Sequence, residues 1–411
     1  MSLKNSNSNV FFLAIVLMFV LLDSKYLPGG NIATIFLLIN LVKKPKISIS
    51  KGKMCTLFIA FASYLFLTTI LHIKSNYDIN NSIMYFIEIA IIVCSCHTAL
   101  SQSNLAVFMK LIRNFGVVLG LLGIVEGVIK YPFLSYFLGI QCDIAYDPNG
   151  YRIVSIFGHP IVTGVFFLFC FCATLIVPYK KFFSNMIILI ILILAIALTR
   201  SRSVWLSIAV MIGVILLKKC KYKNNISRKT FIRIICIVTF VVLADGLTKF
   251  VISRGIYTFF KSRIVGSLYA GEGAGNIIRI DTVLNSISYW KNGNILKFIF
   301  GMGKNYDKYF MHLFPVVKYA TVWTAAIDNQ YFTTIHEAGV MGLIPIILIV
   351  IYAVQRIIRI DIKNRISLVA NAGIVGIYVS MFFFEGLNYM SVLTMLIILF
   401  VISDQYEKVI V

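Results

Sequence analysis

Carboxylates are scarce in this chain: 16 Asp and Glu stand against 38 Lys and Arg in 411 residues. No acidic cluster of the kind that holds a divalent metal is visible, so neither a metal nor another cofactor is expected. Cysteine supplies no framework either. Cys55, Cys94, Cys96, Cys170, Cys172 and Cys236 lie in apolar runs, Cys220 sits in a basic loop, and Cys142 is alone in a polar one. That pattern implies no disulfide set and no thiolate site. Internal repeats, a low-complexity tail and a soluble domain are also missing. The stretch "GEGAGN" (271–276) lacks the lysine and the strand context of a phosphate-binding loop and reads as linker.

Apolar sequence is what the chain has instead. Hydrophobic residues make up 59%, with a mean hydropathy of +0.90. Runs of about 20 residues, long enough to cross a bilayer, recur throughout. The expected fold is an all-α polytopic membrane protein of about 12 helices. The expected spans are 9–24, 29–43, 54–73, 82–100, 112–130, 160–178, 185–199, 203–217, 231–247, 329–353, 366–385 and 388–403. The first follows a single Lys4 and precedes no small-residue cleavage pattern, which reads as a retained helix. A net charge of +22 would suggest nucleic acid in a soluble protein. Here the loops at 43–53, 218–229 and 355–365 carry much of it after even-numbered spans, so it sets orientation and no nucleic acid is implied. The rule puts both termini in the cytoplasm.

Two outward segments exceed a turn: 131–159, within helices 1–9 (1–247), and 248–328, before helices 10–12 (329–411). A connection as long as the second usually has a function. Its pattern suggests short amphipathic helices, such as "RIDTVLNSISYWKNGNILKFIF", broken at "YAGEGAGN" and "FGMGKN". It also carries a basic excess, from Lys249 and Arg263 to Lys304 and Lys318, which an anionic ligand on the outer face explains.

Between two apolar runs stands "LTRSRSVWLS" (198–207), with two permanent charges at positions 200 and 202. The runs are short and lysine pairs guard their far ends, so they read as a hairpin with "TRSRS" at its tip. Arginine in hydrocarbon is costly and must meet water, an anion or a partner charge. Snorkelling toward head groups leaves the two short half-spans unexplained. Local unwinding at the tip would aim Arg200 and Arg202 into one cavity. Phosphate is the anion that guanidinium binds best, through paired N–H bonds. A lipid-linked pyrophosphate suits the location.

Four fragments, "YRIVSIFGHPIVTGVF" (151–166), "LTRSRSVWLS" (198–207), "RIDTVLNSISYW…FGMGKN" (279–305) and "DNQYFTTIHEAGVMGLIPI" (328–346), resemble in this order the O-antigen polymerase and O-antigen ligase superfamily. The resemblance implies a GT-C-like, metal-independent glycosyltransferase with a large periplasmic loop between helices 9 and 10. It would sit in the bacterial inner membrane, its active site facing the periplasm. Donor and acceptor would be oligosaccharides linked to undecaprenyl pyrophosphate, membrane lipid would surround the site, and a chain-length regulator protein is a possible partner. Essential arginines would map to Arg200 or Arg202 and to Arg279, with Arg152 a further candidate.

A polymerase passes the glycan to another lipid-linked repeat, whereas a ligase passes it to lipid A. A flippase of this length has two similar halves, a symmetry that the 248–328 loop breaks. In the ligase branch the residue before the asparagine of "DNQYF" is typically histidine, and here it is Asp328. Its carboxylate either caps the following helix or takes the acceptor's proton. Arg200, Arg202, Arg279 and Asp328 are therefore the expected catalytic residues. Arg152, His159, Arg263, Tyr289, Asn329, His336 and Glu337 are expected at the substrate. His336 and Glu337 could instead pair with Arg152 or Arg279, and His159 could be a helix cap. Tyr151, Trp290 and Trp323 could stack on sugars, although aromatic residues populate every membrane interface.

Orientation is directly testable. Cys142 should react with a membrane-impermeant maleimide in cells with a permeabilised outer membrane, and Cys220 should be protected. The reverse labelling would place the arginine tip in the cytoplasm.

Overall fold

The computed structural model describes residues 16–17, 52–72, 79–100, 102–140, 142, 145–147, 150–223, 274–293, 295–318, 321–323 and 326–406. The helices expected at 9–24, 29–43 and 231–247 lie outside the described residues, apart from 16–17, as do Arg263 and the first half of "GEGAGN".

The chain forms α1 (Lys53–Leu71), α2 (Ile79–Ala99), α3 (Gln102–Ile129) and a single-turn α4 (Phe133–Phe137). After a hairpin of β1 (Tyr146–Asp147) and β2 (Gly150–Tyr151) come α5 (Pro160–Ile176), α6 (Phe182–Leu198) and α7 (Arg202–Lys223). The outer segment supplies α8 (Ala274–Asn292), α9 (Ile295–Phe300), α10 (Tyr306–Leu313) and a hairpin of β3 (Val316–Lys318) and β4 (Thr321–Trp323). Then α11 (Gln330–Arg359), α12 (Arg365–Ser380) and α13 (Met390–Gln405) follow. Among the described residues, 4 helices are long and apolar enough to cross a membrane: α1, α2, α3 and α11. Helices α5, α6, α12 and α13 are shorter and equally apolar. The protein is an all-α membrane protein, with two small hairpins that the apolar patterning does not announce.

Two kinds of apolar helix divide the bundle. Helices α5, α12 and α13 are buried almost all round and form its centre, as helices without a polar face must. Helices α1, α3 and α11 expose one apolar side, through residues such as Leu67, Val118 and Ile347. The hairpin at the arginines differs from expectation in one respect. Helix α6 has 17 residues and α7 has 22, roughly 25 and 33 Å at 1.5 Å per residue. Lysine is a good helix former, so α7 continues through "KKCKYK" instead of stopping before it. Shortness of both halves is therefore not a feature of this hairpin.

Helix α11 is broken near its start. Gly339 has φ +66° and ψ −174°, which interrupts the ladder inside an apolar helix. The break frees carbonyls, and the glycine-rich connection from α9 to α10 supplies their donors. Met302 N–H donates to the His336 carbonyl at 3.1 Å, and Gly303 N–H to that of Glu337 at 2.8 Å. A Cβ on Gly339 would strike the Ile299 carbonyl, and one on Gly301 (φ +78°) would strike the Glu337 carbonyl. Lys304 then pairs with Glu337 at 2.8 Å, both nearly inaccessible, and the Asn305 N–H reaches the same carboxylate at 2.7 Å. Lys304 is thus committed to an internal pair, although the sequence groups it with loop cations facing an anion.

Gly339→Ala and Gly301→Ala should each lower stability by about 1–3 kcal/mol, the cost of forcing a Cβ into positive φ against backbone. An unaltered thermal midpoint of the detergent-solubilised protein would refute this account of the break.

Candidate functional site

At the end of the bundle where α5, α11 and α13 begin, the chain leaves regular helix in four places. Helix α6 ends at Leu198, Arg200 turns to φ +52°, and α7 starts at Arg202. This is the expected unwinding of the "TRSRS" tip. It does not leave the tip open to one side, because the segment 150–159 packs onto it. Ile153 N–H donates to the Leu198 carbonyl at 3.3 Å, and Arg152 Nε donates to the Thr199 carbonyl at 3.2 Å. The Arg200 guanidinium lies against Gly150, whose φ of +119° and lack of a Cβ let it approach. Arg152 and Arg200 are therefore brought together at the tip, with Arg202 one turn-step away and half-buried.

Glu126, in the apolar run of α3, fixes that segment. It is fully buried and accepts from the Tyr151 hydroxyl at 2.9 Å, Val154 N–H at 2.8 Å and Ser155 N–H at 3.1 Å. Its bonds bracket Arg152. The segment closes at His159, the N-cap of α5, whose Nδ1 accepts from Ile161 N–H at 3.3 Å. That bond leaves the proton on Nε2. Burial pushes the imidazole down to about 3, and the charges of Arg152 and Arg279 push the same way. His159 is thus a neutral cap that feels both arginines and packs its ring 5.3 Å from that of Tyr389.

Arg279 reaches this region from α8. One face of that helix docks on the start of α11: Thr282 donates to the Ile327 carbonyl at 3.2 Å, Ser286 meets His336 at 3.0 Å, and Trp290 stacks on Phe332 at 5.3 Å. Arg279 then lies 3.4 Å from Asp328, each about 30% exposed, at 29% and 28%. Asp328 adopts φ +56°, a left-handed conformation that aspartate tolerates better than most residues. Burial raises its carboxyl, and Arg279 opposes that shift.

The structure corrects the capping alternative for Asp328. Asn329 is the cap: its Oδ1 accepts from the Tyr331 and Phe332 N–H groups at 3.0 and 3.3 Å, and its Nδ2 donates to the Phe382 carbonyl. Other expected residues stand apart from the arginines. His336 sits among the rings of Trp290 (4.8 Å) and Phe310 (4.2 Å), and Tyr289 bonds Tyr306 at 2.8 Å. Glu337 pairs with Lys304, not with Arg152 or Arg279. These three serve the docking of the outer segment.

The pattern of residue types did not single out Glu126, Tyr389 or Glu385 as parts of the site. The available signal was an ionisable residue inside an apolar run, at Glu126 and Glu385. Glu385 accepts from the N–H of Ile327, next to Asp328 in the chain, and from the Thr333 hydroxyl.

Capping and charge can be separated by mutation. Asn329→Ala should cost about 1 kcal/mol of stability, as loss of a helix cap does. Asp328→Asn should leave the thermal midpoint within the small effect of a partly exposed ion pair, about 0–1 kcal/mol. The opposite ranking would return the cap to Asp328.

Residues 187–347 match the family model described as O-antigen ligase. No curated protein matches the chain. The matched stretch runs from α6 to just past the middle of α11 and so includes the arginine tip, Arg279, Asp328 and the break at Gly339. Over residues 187–347 the chain is therefore similar to the O-antigen polymerase and ligase superfamily.

Proposed function

We propose that the protein is a polysaccharide polymerase, which transfers a glycan from undecaprenyl pyrophosphate to the terminal sugar of another lipid-linked repeat on the periplasmic side of the inner membrane. The observation that carries this reading is the Arg279–Asp328 pair beside Arg152 and His159, with Asn329 relieving Asp328 of any capping duty. A cation and a carboxylate in contact at one site suit a reaction that creates negative charge on a leaving group and releases a proton.

The acceptor's hydroxyl oxygen attacks the anomeric carbon of the donor. A new C–O bond forms as the bond to the pyrophosphate oxygen breaks. Arg152, Arg200, Arg202 and Arg279 neutralise the charge growing on the pyrophosphate, which is preorganised electrostatic stabilisation. Asp328 accepts the hydroxyl proton. In-line displacement inverts the anomeric carbon. Neutral His159 contributes its Nε2–H as a donor, not as an acid. No step requires a metal, and a chain-length regulator would act on the emerging polymer.

The description of the matched family favours a second reading, a ligase that passes the glycan to lipid A. Deletion of the gene discriminates. A polymerase deletion leaves lipid A capped with one repeat, or surface glycan of one repeat, while a ligase deletion accumulates long undecaprenyl-linked chains. Arg200→Ala, Arg202→Ala or Arg279→Ala should reduce polymerisation by about 100-fold or more while protein still accumulates in the membrane. Unchanged chain length in all three would overturn the pyrophosphate role. Purified protein should also polymerise lipid-linked repeats in EDTA, and loss of activity restored by a divalent ion would count against the arginine mechanism.

A further inference from the structure

The turn from Met381 to Tyr389, between α12 and α13, takes no part in the reaction above, yet the Asp328 backbone is built on it. Gln330 N–H donates to the Met381 carbonyl at 3.0 Å, and the Gln330 side chain accepts from Leu387 N–H at 2.7 Å. Glu385 is the centre of this contact and is 7% exposed. Its Oε1 accepts from Ile327 N–H at 3.1 Å and from the Thr333 hydroxyl at 2.8 Å. Its Oε2 accepts from Asn388 Nδ2 at 2.8 Å. The Asn388 amide is fixed in that sense because its Oδ1 takes the Lys304 ammonium at 2.6 Å. Each carboxylate oxygen thus faces an N–H donor, an arrangement that suits the ionised form. The bonds to Ile327 and Thr333 straddle Asp328, whose positive φ needs surrounding structure to hold it.

We propose that Glu385 is a positioning residue for the acceptor side of the reaction: it holds the Asp328 backbone so that the carboxylate stands beside Arg279, and its negative charge strengthens Asp328 as proton acceptor. The inference rests on reading Asp328 as the base. Several charged groups share this environment. Asp307 of α10, Glu337 of α11 and Asp328 act on Glu385, Lys304 lies beyond Asn388, and Arg279 faces Asp328. Burial pushes the Glu385 carboxyl up to about 8, Asp307 adds to this, and the Thr333 bond opposes it. Glu385 therefore gains its charge across the neutral range. Above that range the ionised form reinforces Asp328, and as pH falls the reinforcement is lost, so the rate should rise with pH through a limb near neutrality.

The test uses the purified full chain and lipid-linked single repeats extracted from a strain lacking the gene. Wild type, Glu385→Gln, Glu385→Asp and Asp328→Asn are compared across the neutral range. Glu385→Gln should lower kcat by about 3- to 10-fold, the modest effect of a weakened base, with KM for the repeat nearly constant. It should also lose the limb near neutrality, and Glu385→Asp should restore part of it. A Glu385→Gln variant that keeps the wild-type limb and kcat, or that loses only folded protein or KM, would overturn the proposal. Full activity in Asp328→Asn would instead remove the base assignment, and this inference with it.

Discussion

Backbone amides that leave regular helix inside a membrane protein have no water to bond, and this constraint organises the whole site. The protein meets it with its few carboxylates. Glu126 takes the Val154 and Ser155 N–H groups, Glu337 takes Asn305, Glu385 takes Ile327, and Asp404 takes Met54 and Cys55 at the far end of α1. Three of these acceptors hold irregular segments, and Asp404 takes first-turn N–H groups of α1. Two of the four are also matched by a cation, Glu337 by Lys304 and Asp404 by Arg356. Removing any such acceptor strands buried donors, a penalty of about 1–3 kcal/mol per group.

The same economy explains how distant segments converge. Glu126 fixes the loop that carries Arg152 and His159, and Glu385 fixes the strained entry to α11 that carries Asp328. The break at Gly339 draws in the glycine connection after α9, which seats the outer segment on the bundle and lays α8 along the start of α11. Arg279 meets Asp328 because of that docking. The residues proposed for the reaction are thus placed by contacts that the proposed reaction does not use.

Residue order alone accounts for the helical membrane architecture, since apolar runs fix helices regardless of their neighbours. The expected spans over 54–73, 82–100 and 160–178 agree closely with α1, α2 and α5. It also determined the interruption at "TRSRS", because two arginines cannot continue an apolar run, and the likeness to the superfamily, which residues 187–347 carry. Which polar residue meets which is set by the packing of distant segments. Asp328 and Asn329 are adjacent in sequence and equally suited to capping, and the left-handed turn at Asp328 is what hands the cap to Asn329. Glu337 lies two turns into an apolar helix, and nothing local favours Lys304 over Arg279 as its partner. Ion pairs and hydrogen bonds act over a few ångströms between residues tens to hundreds of positions apart, so the apolar period along the chain carries no record of them.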